Sequence, residues 1–186
     1  SLINTADGAV SEQMSILIRL REITSQAATG TIGDTERATL HLEFSALRSE
    51  FDRIAATAEF NGRKLLDGSL SSGSSDTTVI QLGIDSSDNN RFNLNTEINL
   101  SATTSSNLGF GTDSIATDTG ALKAMSNLTE AIAKLSAIRG RIGAVQERLQ
   151  YAKDHLNATV ENLNGAISTM RDADFAEEFA GLTRNQ

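Results

Sequence analysis

His41 and His155 are the only imidazoles in this 186-residue chain, and there is no cysteine. A transition-metal site needs several ligands at close spacing, and neither histidine has a ligating companion nearby. No metal is expected, and both histidines read as solvated helix-surface residues. The acids offer little more. Glu177-Glu178 and the Asp172-Ala-Asp174 group occupy consecutive or alternate positions of one helical segment. Paired acids of the glycosidase kind require a cleft and two unlike environments, which a thin bundle lacks. Gly30 and Gly33 join two helical segments rather than following a strand, so turn chemistry explains them better than phosphate binding. Asn-x-Ser/Thr occurs at Asn99, Asn127 and Asn157, two of them in predicted helix, and chance accounts for all of them. Nothing here supports an enzyme, and no cofactor is expected.

The cations are scattered. Arg19, Arg21, Arg37, Arg48, Arg53, Arg139, Arg141 and Arg148 fall at helix-surface positions, where solvated faces and intrahelical pairs explain them. With 16 Lys and Arg against 24 Asp and Glu, the net charge is −8 and no basic cluster occurs. Nucleic acid and anionic membrane surfaces are disfavoured as partners. No apolar run approaches the length of a transmembrane span, and no signal peptide is visible.

The elements that position these residues are long helices. Leu40, Phe44, Leu47, Phe51, Ile54 and Ala58 alternate steps of four and three, which keeps one apolar seam facing a partner helix. Ile3, Ala6, Val10, Gln13, Leu17, Leu20, Thr24 and Ala27 repeat that spacing, widened by Leu2, Ala9, Ile16 and Ile23. Ile138, Ile142, Val145, Leu149, Ala152 and Leu156 repeat it again. Seams of this kind are buried only against one another. Aromatics make up 4 % of the chain and proline is absent, which suits slender, uninterrupted helices. The expected fold class is mainly α, an elongated antiparallel coiled-coil helical bundle with a β-hairpin.

The first helix should end near Ala28 and the second, capped by Asp34, near the Phe60-Asn61-Gly62 turn. Alternation of Ile80, Leu82 and Ile84, and then of Phe92, Leu94, Ile98 and Leu100, predicts a hairpin across the turn residues Asp85 to Asn90. Residues 101–119 read as a loop interrupted by Leu108 and Phe110, and a third helix should run from Thr119 to about Arg171. Its seam is irregular at Ile132-Leu135-Ile138 and at Ala152-Leu156-Val160, as if locally over- and underwound. Gly140 and Gly143 lie inside it, and close approach of the second helix, a contact with another subunit or a flexible point would explain them. One elongated domain over 1–186 is expected, with two helices in 1–60, hairpin and loops in 61–118 and the long helix in 119–186. Ser1 and the terminal AGLTRNQ carry no convincing caps, so both ends read as cuts through longer helices.

Three segments occur in order: TADGAVSEQMSILIRLREI, then ERATLHLEFSALRSEFDRIAATAEFNGRKLLDG, then RGRIGAVQERLQYAKDHLNATVENLNGAISTMRDADFAEEFAGLTRNQ. With VIQLGID, RFNLNTEINL and the LGF after them, the chain closely resembles the bacterial flagellins. LREI followed by EFNG, GAVQERL and MRDADFAEE are weak signals singly but specific in this order and separation. The resemblance implies the core rod domain of a flagellin without its two terminal helices, the variable outer domain being essentially absent between Gly111 and Gly120. It implies a structural subunit of the flagellar filament that self-assembles, through heterologous contacts that generate an open helix, into the propeller of swimming motility. Implied partners are other flagellin subunits and, for the full-length protein, the flagellar export machinery and a chaperone. The implied location is the extracellular flagellum, reached without a cleaved signal peptide. Alternatives are the hook-filament junction protein, a flagellin relative, and a secreted ligand sensed by a host Toll-like receptor. For that last role the resemblance assigns Arg19, Ile23, Glu43 and Arg148 to the receptor-binding face, Ile23 standing where the family usually has Leu. The cut ends should block polymerisation of the chain alone.

Overall fold

The computed structural model describes residues 2–83 and 87–184, apart from the side chains at 89, 173–174, 176–178 and 181. The acids Asp174, Glu177 and Glu178, the strand position Ile84 and the turn residue Asp85 lie outside the described residues. The chain divides into two units, residues 1–80 with 92–146 and residues 81–91 with 147–186.

In the first unit α1 (Leu2–Ala27) and α2 (Asp34–Thr57) are antiparallel neighbours. Their contacts run Ala27 to Arg37, Arg19 to Glu43 and Gln13 to Phe51, rising on one helix as they fall on the other. α1 buries Ile3, Ala6, Val10, Gln13, Leu17, Leu20, Ile23, Thr24 and Ala27, the seam its spacing predicts together with Ile23 of the residues that widen it. α2 answers with Phe44, Phe51, Ile54 and Ala55. The cap of α2 is Gly33 rather than Asp34, and Asp34 and Glu36 instead occupy the first turn, where negative charge complements the helix dipole. Arg37 is buried at 6 % exposure and donates from Nη1 to the Ala27 carbonyl at 2.5 Å and from Nη2 to the Ile32 carbonyl at 3.2 Å. A cation there satisfies the last carbonyl of α1 and one carbonyl of the connection that follows, a role that sequence spacing alone does not reveal.

The connecting region is more structured than its composition suggests. Glu59–Phe60 (β1) and Arg63–Lys64 (β2) form an antiparallel hairpin across Asn61 and Gly62, whose φ values of 52° and 77° are the left-handed pair a tight turn needs. β3 (Val79–Gln81) pairs with β4 (Arg91–Asn93) as predicted, but the alternation beyond Phe92 is a helix, α3 (Leu94–Ile98). Leu94 and Ile98 are four apart, one helical turn; Asn93 caps the start by accepting from Asn95 N–H, and Asn99 at φ 44° ends it. The expected loop 101–119 contains α4 (Ser105–Leu108), capped by the Thr104 side chain and by Gly109 at φ 99°. The Asp52 carboxylate accepts from both the N–H and the hydroxyl of Ser105 at 2.7 Å, which fixes α4 on α2. Phe110 then meets Phe51 edge to face at 5.2 Å.

The last helix, α5, spans Asp118–Arg184, thirteen residues beyond the predicted end at Arg171. Within the first unit it buries Ala121, Ala124, Leu128, Ala131, Leu135, Ile138, Ile142 and Val145. These alternate steps of three and four without a break. The irregularity read at Ile132 is therefore absent, because the smaller Ala131 holds the seam position and Ile132 is half-buried. Side chains brace this half of α5: Arg139 pairs with Asp7 at 3.3 Å, Gln146 bonds Asn4 at 3.2 Å, Asn127 bonds both Asp113 carboxylate oxygens, and Arg141 donates to the Ile98 carbonyl. Arg48 likewise donates to the Asp113 carbonyl and lies over the Phe44 ring. Several of the scattered arginines are thus cross-braces rather than solvated charges. His41 is also not simply solvated: half-buried, it packs beside Phe44, and its Nδ1 accepts from the Ile115 N–H at 3.4 Å.

In the second unit, the distal part of α5 half-buries Leu149, Ala152, Leu156 and Thr159, so the heptad continues through Thr159 rather than Val160. From Val160 onward every described side chain is exposed.

A Cβ built on Gly140 or Gly143 meets no heavy atom within 4 Å, so close helix approach does not explain these glycines. Gly140→Ala should therefore stabilise the fold by about 0.5–1 kcal/mol, through helix propensity and reduced freedom of the unfolded chain. Phe51→Ala, at a fully buried seam position, should destabilise it by about 3–5 kcal/mol. Denaturant melts of the two variants should move in opposite directions; a midpoint lowered by Gly140→Ala would show an unseen packing demand.

Candidate interaction surfaces

The α1–α2 face gathers two of the four residues singled out by resemblance. Arg19 projects from α1 opposite Glu43 of α2, and its Nε and Nη2 donate to Glu43 Oε1 at 3.0 and 2.7 Å, while Nη1 reaches Glu22 Oε2 at 3.2 Å. The hydrogen bond to Glu43, then that to Glu22, raises the guanidinium pKa above its ordinary value. Water reaches both partners, so the pair orients charge more than it stabilises the fold. Beside it stand Ile18 at 49 % and Leu42 at 72 % exposure, and a shallow groove is lined by Ile18, Arg21, Glu22 and Ser25. Ile18 and Leu42, each one residue from a member of the ion pair, flank it with apolar surface, so the face offers both oriented charge and dispersion to a partner.

Ile23 does not join that patch. It is 1 % exposed and packs in the α1 seam beside Thr24. Four residues carry the helix about 40° past a full turn, enough to move a side chain from the rim occupied by Arg19 into the seam. A partner could therefore feel Ile23 only through the helix it holds in place. Arg148 lies on α5 in the second unit and is exposed.

The second unit carries a surface whose exposure sequence spacing did not disclose. Val160, Leu163, Ile167 and Met170 follow one another by steps of three and four at 50–65 % exposure, and Phe175, Phe179 and Leu182 continue the apolar series after a step of five. Their spacing is that of a buried seam, but no described side chain covers them. Contiguous exposed apolar surface of this kind marks an association site. Among the described residues no group of three or more His, Cys, Asp or Glu could hold a metal ion, and no helix is long and apolar enough to cross a membrane. Fold and surfaces together define a mainly helical protein with an uncovered apolar stripe.

Comparison with known proteins narrows that class. Residues 1–71 match the family model of the bacterial flagellin N-terminal helical region, and residues 125–186 that of the bacterial flagellin C-terminal helical region. The chain belongs to the flagellin family. It is 44 % identical over 91 residues to flagellin A of Vibrio cholerae, covering 46 % of this chain and 24 % of that protein. It is 43 % identical over 83 residues to the B-type flagellin of Pseudomonas aeruginosa, covering 45 % and 16 %. The matched segments thus span a quarter or less of these relatives. The crystal structure of Bacillus cereus flagellin superposes with a TM-score of 0.70 at 29 % identity, over 83 % of this chain and 84 % of that one. The FliC structure from Burkholderia pseudomallei shares the fold at a TM-score of 0.62 and 16 % identity, over 80 % and 98 %.

Burial separates the residues of the α1–α2 face experimentally. Arg19→Ala and Glu43→Ala should leave the denaturation midpoint nearly unchanged, because both side chains are about half in water. Ile23→Ala should lower stability by about 2–5 kcal/mol, the cost of a buried aliphatic truncation. Equal melts for all three would show that Ile23 is not a core residue.

Proposed function

We propose that this chain is a structural, non-catalytic subunit of the bacterial flagellar filament, polymerising with copies of itself into an extracellular helical propeller for swimming. The observation that carries the reading is the presence of both flagellin helical regions in one chain, in the family's order and separated by about fifty residues. A physical argument supports it. The distal α5 face has the period of a helix-packing seam, so a helix is its natural occupant. Contact between that face and a different face of the next copy is heterologous, and heterologous contacts that do not close generate open helical assemblies. We take residues 1–186 as one flagellin core domain with the outer variable domain essentially absent. Secretion, with the flagellar export machinery and a chaperone as partners of the full-length protein, belongs to the same proposal; nucleic acid and membrane remain disfavoured by the charge of −8.

Sensing by a host Toll-like receptor is a secondary proposal. The observation favouring it is the fixed Arg19–Glu43 pair beside exposed Ile18 and Leu42. Arg148 enters it by resemblance alone, and Ile23 as a support rather than a contact.

The test places the natural full coding frame in a flagellated bacterium that lacks its own flagellin. Electron microscopy should show filaments, and the cells should swim. Leu163→Asp together with Ile167→Asp should abolish filament growth without altering the melting curve, because both side chains are half in water in the monomer. Filaments of normal length built from the doubly substituted protein would sink the role given to this face; no filaments from the unsubstituted protein would sink the function itself.

A further inference from the structure

We propose that the thioether of Met170 is an oxidant-modifiable site, and that its conversion to sulfoxide by a hydroperoxide makes the middle of the exposed α5 face polar. The chain has three methionines, Met14, Met125 and Met170, and no cysteine whose thiolate could intercept an oxidant first. Thioether oxidation is governed by access. Met170 is 65 % exposed, whereas Met14 and Met125 are half-buried in the first unit. Its position gives the modification a consequence, because Ile167 lies one turn before it on the same face and Leu163 two turns before.

The step is a two-electron oxygen transfer. A sulfur lone pair attacks the terminal oxygen of the hydroperoxide, the S–O bond forms as the O–O bond breaks, and the proton on the attacked oxygen passes to the departing oxygen, which leaves as water or an alcohol. Sulfur is oxidised and the peroxide is reduced, with no further reagent. The product is a strong hydrogen-bond acceptor in place of an apolar group, and burying it without a donor is unfavourable. Where it concerns filament growth the inference rests on the assembly role proposed above; the site and its change in polarity do not.

Limiting hydrogen peroxide applied to the chain, followed by peptide mass spectrometry, should show Met170 gaining oxygen several-fold faster than Met14 or Met125. The mono-oxidised chain should elute earlier from a phenyl resin, and the elution of Met170→Leu should not respond to the same treatment. Comparable oxidation of the three sulfurs, or unchanged elution after oxidation at Met170, would overturn the proposal. In the full-length protein, oxidation confined to Met170 should raise the concentration needed for polymerisation by roughly tenfold, and unchanged polymerisation would overturn the link to assembly. Unoxidised protein that never polymerises would refute the filament reading, while oxidation order and resin retention would still decide the site.

Discussion

A helix with a single apolar stripe gains little from its own hydrogen bonds in water; it is stable when the stripe is covered by another of matching period. Every large feature of the first unit follows from that constraint. The alternating three and four spacing of α1, repeated in α2 and in the proximal half of α5, keeps each stripe facing inward along its length. Gln13 is the exception that gives the seam a register. Fully buried, it donates from Nε2 to the Phe51 carbonyl at 3.2 Å and the Thr103 carbonyl at 3.0 Å, joining α1, α2 and the segment before α4. Sliding α1 along α2 would strand that amide among apolar side chains, so a polar residue in the seam disfavours every other alignment.

Where the stripes stop, single polar side chains take over. Asn95 is 1 % exposed; its Nδ2 donates to the carbonyls of Ser69, Ser71 and Asp76, and its Oδ1 accepts from Thr78 N–H. One amide therefore organises ten residues of Ser-rich chain that have no stripe of their own. Asp52 does the same for α4, and Arg37 for the turn between α1 and α2. Such nodes satisfy backbone groups that folding would otherwise leave unpaired in the interior.

The division between seams and nodes is also the division between what could and could not be read from the sequence. The buried positions of α1 were legible one by one, because a periodic stripe leaves a periodic trace. The seam of α5 was misread at Ile132 and at Val160, where a larger or more apolar side chain stands next to the seam residue, Ala131 in the one case and Thr159 in the other. Asn95, Asp52 and Arg37 left no trace, since their importance depends on which carbonyl or N–H the fold brings within reach. The turn at Phe92–Leu100 misled because isolated apolar residues at even spacing fit a strand until the caps at Asn93 and Asn99 are recognised. Among the residues assigned by resemblance, the burial of Ile23 was legible in the widened stripe of α1, whereas the pairing of Arg19 with Glu43 was out of sight, because it depends on how far each side chain is rotated from the seam.

The two halves of α5 carry apolar stripes of similar spacing, interrupted in the distal half by the step of five before Phe175, and meet opposite fates. Ala121 to Val145 are covered, and Val160 to Leu182 stand in water with larger side chains, including Phe175 and Phe179. Had solubility been the only demand, the distal stripe could have been polar at no cost to the first unit, because the core ends near Val145. Keeping it apolar makes sense if its cover arrives from outside the described residues. In the assembly proposed above, the same physics that closes the core would choose the partner: a stripe with the spacing of a coiled-coil seam accepts a helix and discriminates against a flat surface, so period selects before any particular contact is made.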